Sequence, residues 1–176
     1  MGFHPLVCHS AATAPADTAL LASLSRYAGS NKALLSIRLS ADLLALDLPS
    51  ASAKQQRRDE LWRASCCELF IKVPGEPAYT EWNFSPNGDW QCYQFSAYRE
   101  GRKQAAVSAP KITVRAGERR CEFDAEMTLP AGAVQAATTM VIKNRLQQLS
   151  YWAMHHAATA PDFHHPAGFV LDCPAC

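Results

Sequence analysis

The chain has 176 residues, 48% of them hydrophobic and 19% charged. That suits one globular domain spanning residues 1–176 with a real core, and leaves two separately buried units poorly filled. Seventeen Lys and Arg against sixteen Asp and Glu give a formal charge of +1, too weak a balance to grip a polyphosphate, so nucleic acid is excluded as a main partner. Seven cysteines, an odd number in a chain too long to need disulfide staples, read as free thiols of a cytoplasmic protein.

The first residues, Met1-Gly2-Phe3-His4-Pro5, lack the basic stretch and continuous apolar segment of a secretory signal. Leu6 stands where a myristoylation site has Ser or Thr. Asp17–Tyr27 carries Leu20, Leu21 and Leu24 near helical spacing, a weak helical signal that an Ala-rich strand also gives. Leu35, Ile37 and Leu39 alternate with Ser36, Arg38 and Ser40 as in a half-buried strand. Ala41–Leu48 is interrupted by Asp42 and Asp47; no apolar run approaches the roughly 20 residues of a membrane-spanning helix. Pro49–Arg58 is a polar surface loop.

Glu68–Val73, Tyr79–Phe84 and Trp90–Tyr98 are rich in aromatic and β-branched residues. Pro74-Gly75-Glu76-Pro77 and Ser85-Pro86-Asn87-Gly88-Asp89 separate them as turns. Ile112–Arg115 and Thr138–Ile142 are further strands, and between them Cys121, Phe123, Ala125, Met127 and Leu129 alternate with Glu122, Asp124, Glu126 and Thr128. From Pro161 the tail is irregular, with an edge strand at Phe169–Leu171. Roughly eight to ten short strands with turns at this spacing predict an all-β fold, an antiparallel β-sandwich or jelly roll.

Two segments bear on chemistry. In Glu60–Ile71 a Trp precedes a strand in which Glu68 shares a face with Cys66 and Phe70. A carboxylate at the edge of a core needs hydrogen-bonding partners. An aromatic plate beside a held carboxylate suits sugars, whose C–H faces stack on indole and whose hydroxyls donate to carboxylate; the plainer alternative is that Trp62 packs a corner and Glu68 pairs with an arginine. In Tyr79–Trp90, Asn83 lies on the Tyr79 and Glu81 face, and a two-residue Asn87-Gly88 hairpin brings it near Tyr93. Its amide suits hydroxyl recognition or, alternatively, local backbone groups.

The remaining patterns argue against other chemistries. The His155-His156 and His164-His165 pairs and the terminal Cys173-Pro174-Ala175-Cys176 lack zinc-site spacing, and adjacent histidines on a strand face opposite ways, so no metal is expected. No Gly-x-Ser-x-Gly and no phosphate-cradling glycine pattern occurs. Glu68 and Glu81 are a conceivable glycosidase pair, but no sequence rule sets their separation.

Taken together, Glu60-Leu61-Trp62-Arg63-x-x-Cys66-x-Glu68-Leu69-Phe70, Tyr79-x-Glu81-Trp82-Asn83-Phe84-Ser85-Pro86-x-Gly88-Asp89-Trp90, Ser150-Tyr151-Trp152-Ala153 and Pro161-Asp162-Phe163-His164-His165 resemble bacterial DOMON-like proteins related to family 9 carbohydrate-binding modules. The resemblance implies a β-sandwich and a non-enzymatic ligand-binding heritage, sugars in one branch and haem in another. By that resemblance Trp62 and Trp152 are two plates around a sugar and Glu68 binds hydroxyls. Asn83 stands where the family has arginine, a shorter group with fewer donors. The haem branch uses a Met and a His; Met127, Met140 and Met154 match none of its positions.

The expectation is therefore a small-ligand binding module for a saccharide or sugar derivative, with Trp62, Glu68, Asn83, Tyr151 and Trp152 as its ligand-binding residues and no cofactor. The alternatives are an enzyme with Glu68 as acid or base, a haem-binding domain, and an interaction protein whose tryptophans anchor a second subunit. The ligand's identity and the oligomeric state stay open.

Overall fold

The computed structural model describes residues 2–50, 52 and 54–175; Met1 and Cys176, named above, lie outside them. Twelve strands follow in order: β1 His4–Cys8, β2 Ala19–Arg26, β3 Lys32–Ser40, β4 Cys66–Lys72, β5 Tyr79–Phe84, β6 Trp90–Phe95, β7 Lys103–Gln104, β8 Lys111–Ala116, β9 Arg120–Thr128, β10 Val134–Lys143, β11 Leu149–Ala153 and β12 Leu171–Cys173. Every strand pair is antiparallel, as the alternation predicts.

The strands run β7-β6-β5-β4-β10-β11-β1-β2-β3-β9-β8, with β12 beside β10. β1 is the fold line: His4–Leu6 pair with β2, and Val7–Cys8 pair with β11. The curled sheet thus closes on itself as two packed layers. Leu20, Ala22 and Leu24 of β2, Leu35, Ile37 and Leu39 of β3, and Phe123, Ala125 and Met127 of β9 form one inner face. Against them pack Leu69 and Ile71 of β4, Trp82 and Phe84 of β5, Met140 and Ile142 of β10, and Trp152 of β11.

Asp17–Tyr27 is not helical. β2 pairs with β3 over eight residues, because Leu20, Ala22 and Leu24 repeat at period two while Leu21 faces outward; the apparent helical spacing came from that one exposed leucine. The last strand lies at Leu171–Cys173, two residues beyond the expected one, where it pairs with Val134–Ala136.

Trp152 is 5% exposed and lies in the interior between the layers. Its indole N–H donates to the Ser150 hydroxyl at 2.9 Å, so the polar edge is satisfied locally and the ring serves packing. Trp152→Ala is expected to lower folding stability by about 3–5 kcal/mol, the cost of emptying a buried aromatic position, read from urea denaturation.

Candidate functional site

Strands β4, β5 and β10 are buried on both faces. Cys67, Leu69 and Ile71 enter the interior while Cys66, Glu68 and Phe70 face outward; Trp82 and Phe84 enter while Tyr79, Glu81 and Asn83 face outward. Register pairs Glu68 with Asn83 and Thr139, and Phe70 with Glu81. The two glutamates are therefore diagonal neighbours on one sheet face, with backbones about 7 Å apart.

Two coverings bury this outer face. The first is the segment before β4, pinned by Arg57, which donates to the Gln91 side chain (2.6 Å) and the Cys92 and Ala105 carbonyls (3.0 and 2.7 Å). Glu60 then takes a left-handed conformation (φ 62°) and starts the 3-10 turn Leu61–Arg63. That turn sets Trp62 edge-on to Tyr93 at 5.7 Å. The Tyr93 hydroxyl donates to Asp59 at 2.8 Å, an interaction that, with the Gln91 and Gln104 amides, holds the Asp59 carboxyl below the usual carboxylate range.

The second covering is the segment after Pro161. Asp162 accepts hydrogen bonds from the Arg99 guanidinium (2.8 Å), the Tyr98 hydroxyl and the His164 amide (3.1 Å). Burial acts to raise its pKa, but these bonds outweigh burial and leave it lowered. Phe169 inserts against Phe70 and Tyr79. Arg99 itself sits in a tight left-handed turn (φ 57°), closed by Gly101, where a Cβ would collide with the Ser96 side chain.

Between the coverings opens a cleft of about 550 Å³. Glu68, Glu81 and Val141 form its floor, Trp62, Tyr151, Phe163 and His164 its walls, and Arg63, Arg99 and Arg102 its rim. Tyr151 meets Phe163 edge-on at 6.1 Å. Non-glycine residues in left-handed backbone cost energy and concentrate at functional sites; two of the four in the described residues, Glu60 and Arg99, flank this opening.

Among the described residues neither floor carboxyl has a lysine or arginine within ion-pair distance; the nearest base is His164, whose Nε2 lies 3.7 Å from Glu81. Burial pushes the Glu68 carboxyl well up, the neighbouring Glu81 charge adds to the rise, and the hydroxyl of Thr139, donating at 3.3 Å, opposes it. Burial likewise raises Glu81 against the Asn83 amide, which donates to it at 2.7 Å, and against Arg102 and Arg99. Two like charges this close and this dry do not both ionise readily, so the pair holds a proton above ordinary carboxylate pH.

His164 meets Tyr79 through Nδ1 and faces Glu81 with Nε2. The Arg99 amide donates to the Tyr79 hydroxyl oxygen at 3.1 Å, and that oxygen lies 2.8 Å from His164 Nδ1, where the hydroxyl donates if Nδ1 is the unprotonated ring nitrogen. The ring proton then sits on Nε2, facing Glu81. Burial, with Arg99 and Arg102 adding to it, drives the His164 pKa down to about 4, so the ring is a neutral donor at neutral pH. The floor thus offers carboxyl acceptors, a carboxylic O–H and an imidazole N–H, all within one aromatic enclosure.

Of the five residues expected from sequence, Trp62, Glu68 and Tyr151 line the cleft. Trp152 does not: β11 alternates, so Tyr151 faces the cleft and Trp152 faces the interior. Asn83 is fully buried beside the floor, where it orients Glu81 and receives a weak hydrogen bond from the Cys66 thiol. The turn spans Ser85–Asp89 rather than two residues, so Asn83 pairs with Gln91 and Glu81 with Tyr93, which leaves Tyr93 the diagonal neighbour of Asn83 on the same face. The residues that sequence reasoning passed over are Arg63, Arg99, Arg102, Phe163 and His164. The Pro161-Asp162-Phe163-His164 run was the available signal for the last two and the Glu60-Leu61-Trp62-Arg63 run for Arg63; Arg99 and Arg102 had none.

Three of the other histidines make hydrogen bonds to backbone. His156 Nε2 donates to the Val7 carbonyl at 2.8 Å, His9 Nε2 to that of Ala158 at 3.1 Å, and His165 accepts from the Ala167 amide. Among the described residues no group of three or more His, Cys, Asp or Glu is placed to hold a metal ion, and no helix is long and apolar enough to cross a membrane.

No protein-family model matches the chain, and no curated protein matches it in sequence. Among solved structures it is similar to the crystal structure of a "putative carbohydrate-binding protein" from Bacteroides uniformis. The identity is 15%, the TM-score 0.64, and the match covers 96% of this chain and 84% of that one. At this identity the likeness establishes the all-β fold.

The depressed His164 pKa makes a signed prediction. The unfolded chain takes up this proton near 6.5, the folded protein only near 4, so protonation favours unfolding. The contribution of His164 is complete above about pH 6.5 and is lost as pH falls toward 4. The stability advantage of the parent over His164→Gln is expected to shrink across that window, while the His164 ring signal titrates near 4 by NMR.

Proposed function

We propose that the protein binds a saccharide or sugar derivative in the cleft between Trp62 and Tyr151. The observation that carries this reading is the pairing of open aromatic walls with a buried floor of hydroxyl-bonding groups. Sugar rings present apolar C–H faces and a girdle of hydroxyls, and the cleft supplies a partner for each. Trp62 and Tyr151 take the faces; Glu68, Glu81 and the His164 Nε2–H take the hydroxyls, with Asn83 and Thr139 orienting the carboxyls. A volume of about 550 Å³ suits one or two sugar rings.

Kinship with DOMON-like proteins and family 9 carbohydrate-binding modules belongs to the same proposal. The fold shared with a protein described as carbohydrate-binding supports it, as do Trp62 and Glu68 on one cleft. The two-tryptophan sandwich implied by that kinship is replaced here by Trp62 with Tyr151. Six cysteines among the described residues are free, which supports a reducing, cytoplasmic setting. Of the methionines considered for haem, Met127 and Met140 lie in the interior and Met154 packs half-buried against it.

One observation favours a second reading. Two neighbouring carboxyls with raised pKa values are the equipment of acid–base catalysis, which makes Glu68 a proton donor to a glycosidic oxygen and Glu81 its partner. Release of nitrophenol from aryl glycosides, lost in both Glu68→Gln and Glu81→Gln, is the result this reading requires.

For binding, titration calorimetry of the parent against a saccharide panel is expected to give micromolar to millimolar affinities. Trp62→Ala should weaken the best ligand about tenfold, or about 1.4 kcal/mol, while Trp152→Phe changes it less than about twofold. No heat with any sugar, or equal losses in the two variants, refutes the assignment of the cleft.

A further inference from the structure

The rim of the cleft differs from its floor. Arg63, Arg99 and Arg102 all line the opening, and their charges have different fates. Arg99 is committed to Asp162 at 2.8 Å. Arg63 pairs with Glu60 at 3.0 Å on the surface, where both side chains are more than half exposed, a contact of small energetic weight. Arg102 has neither kind of tie: among the described residues no carboxylate lies within ion-pair distance of its guanidinium, and no protein group accepts a hydrogen bond from it.

Arg102 is nevertheless held. Its guanidinium carbon lies 5.5 Å from the centroid of Trp62 and 5.1 Å from that of Tyr93. Stacking on two rings orients the planar fork while leaving its N–H donors unspent, which is the arrangement that accepts a carboxylate or phosphate in two parallel hydrogen bonds. Arg102 also belongs to an adjoining hollow of about 460 Å³ that shares Trp62 and contains Lys103. Two acids line that hollow: Asp59, which accepts from Tyr93, Gln91 and Gln104 and also feels the charge of Arg102, and Glu60, which pairs with Arg63.

We infer that the ligand is an acidic saccharide, its ring on the Trp62 wall and carboxyl floor and its carboxylate or phosphate on Arg102. This rests on the saccharide reading above and adds the charge of the ligand to it. A sugar without an anion leaves the oriented fork of Arg102 unused; an anion without a sugar leaves the floor unused. The shared chemistry is an anionic oxygen group one bond or a short arm from a pyranose ring, whether a uronate or a sugar phosphate.

The test is calorimetry on the full chain with matched probes: glucose against glucuronate and glucose 6-phosphate, galactose against galacturonate, and inorganic phosphate alone. At least one acidic sugar is expected to bind ten-fold or more tighter than its neutral parent, with that advantage falling several-fold between 50 and 500 mM salt, as an exposed charge contact does. In Arg102→Gln the ratio of acidic to neutral affinity should fall at least ten-fold, and Arg102→Lys, which keeps the charge without the fork, should recover only part of it. Circular dichroism of each variant reports whether it folds, and the ratio within the parent needs no variant at all.

Neutral sugars binding as tightly as their acidic counterparts overturn the inference and leave the saccharide reading intact. Inorganic phosphate binding as tightly as glucose 6-phosphate also overturns it, since the ring then contributes nothing. Failure of every sugar to bind overturns both.

Discussion

Carboxyl groups do not enter a dry sheet face without compensation, and this structure places two there. Glu68 and Glu81 are 4% and 5% exposed, diagonal across β4 and β5, and without a lysine or arginine in ion-pair distance among the described residues. Burial and mutual repulsion both favour the protonated form. What holds them is a set of neutral partners: Thr139 on Glu68, Asn83 on Glu81, and the neutral His164 ring facing Glu81. Removing any buried partner leaves a polar group unsatisfied, at a cost of about 1–3 kcal/mol. A face built this way is poor as a core and well suited to a ligand rich in hydroxyls.

The coverings exist to make that face a cleft. Sheet strands place side chains with a precision that loops lack, and the two carboxyls sit on β4 and β5, while Trp62, Phe163 and His164 come from the segments laid over them. Each covering is tied down by one multiply bonded residue, Arg57 on the first and Asp162 on the second. Rigid walls reduce the entropy that a weakly interacting ligand must overcome on binding. The same ties explain why the chain tolerates left-handed backbone at Glu60 and Arg99, since the surrounding bonds over-determine both positions.

Much of the fold was legible. Alternation at Leu35–Leu39 and Cys121–Leu129 read directly as strands because one face of each meets the interior and the other meets water. Asp17–Tyr27 stayed ambiguous between helix and strand because a single exposed leucine, Leu21, mimics helical spacing. At the site, Trp62 and Glu68 were legible as a plate and an acid near each other in sequence, and Tyr151 as a companion. Trp152 was not: Tyr151 and Trp152 are adjacent and both aromatic, and nothing local says which face of β11 turns inward. Asn83 was placed on the right face, while its direct partner is Gln91 and Tyr93 is its diagonal neighbour, because the turn has five residues rather than two.

The order of residues alone determined an antiparallel all-β chain with an acid and an indole close together at the start of one strand, since period-two patterning and turn chemistry are local properties. Only the tertiary structure decided which side of each strand is interior, and so which aromatic serves packing and which lines the cleft. It also brought Arg99, Arg102 and His164 from distant loops to one opening. Those contacts depend on how the sheet curls at β1 and how the C-terminal segment folds back over it, and such long-range placement leaves no periodic trace in the residues that make it.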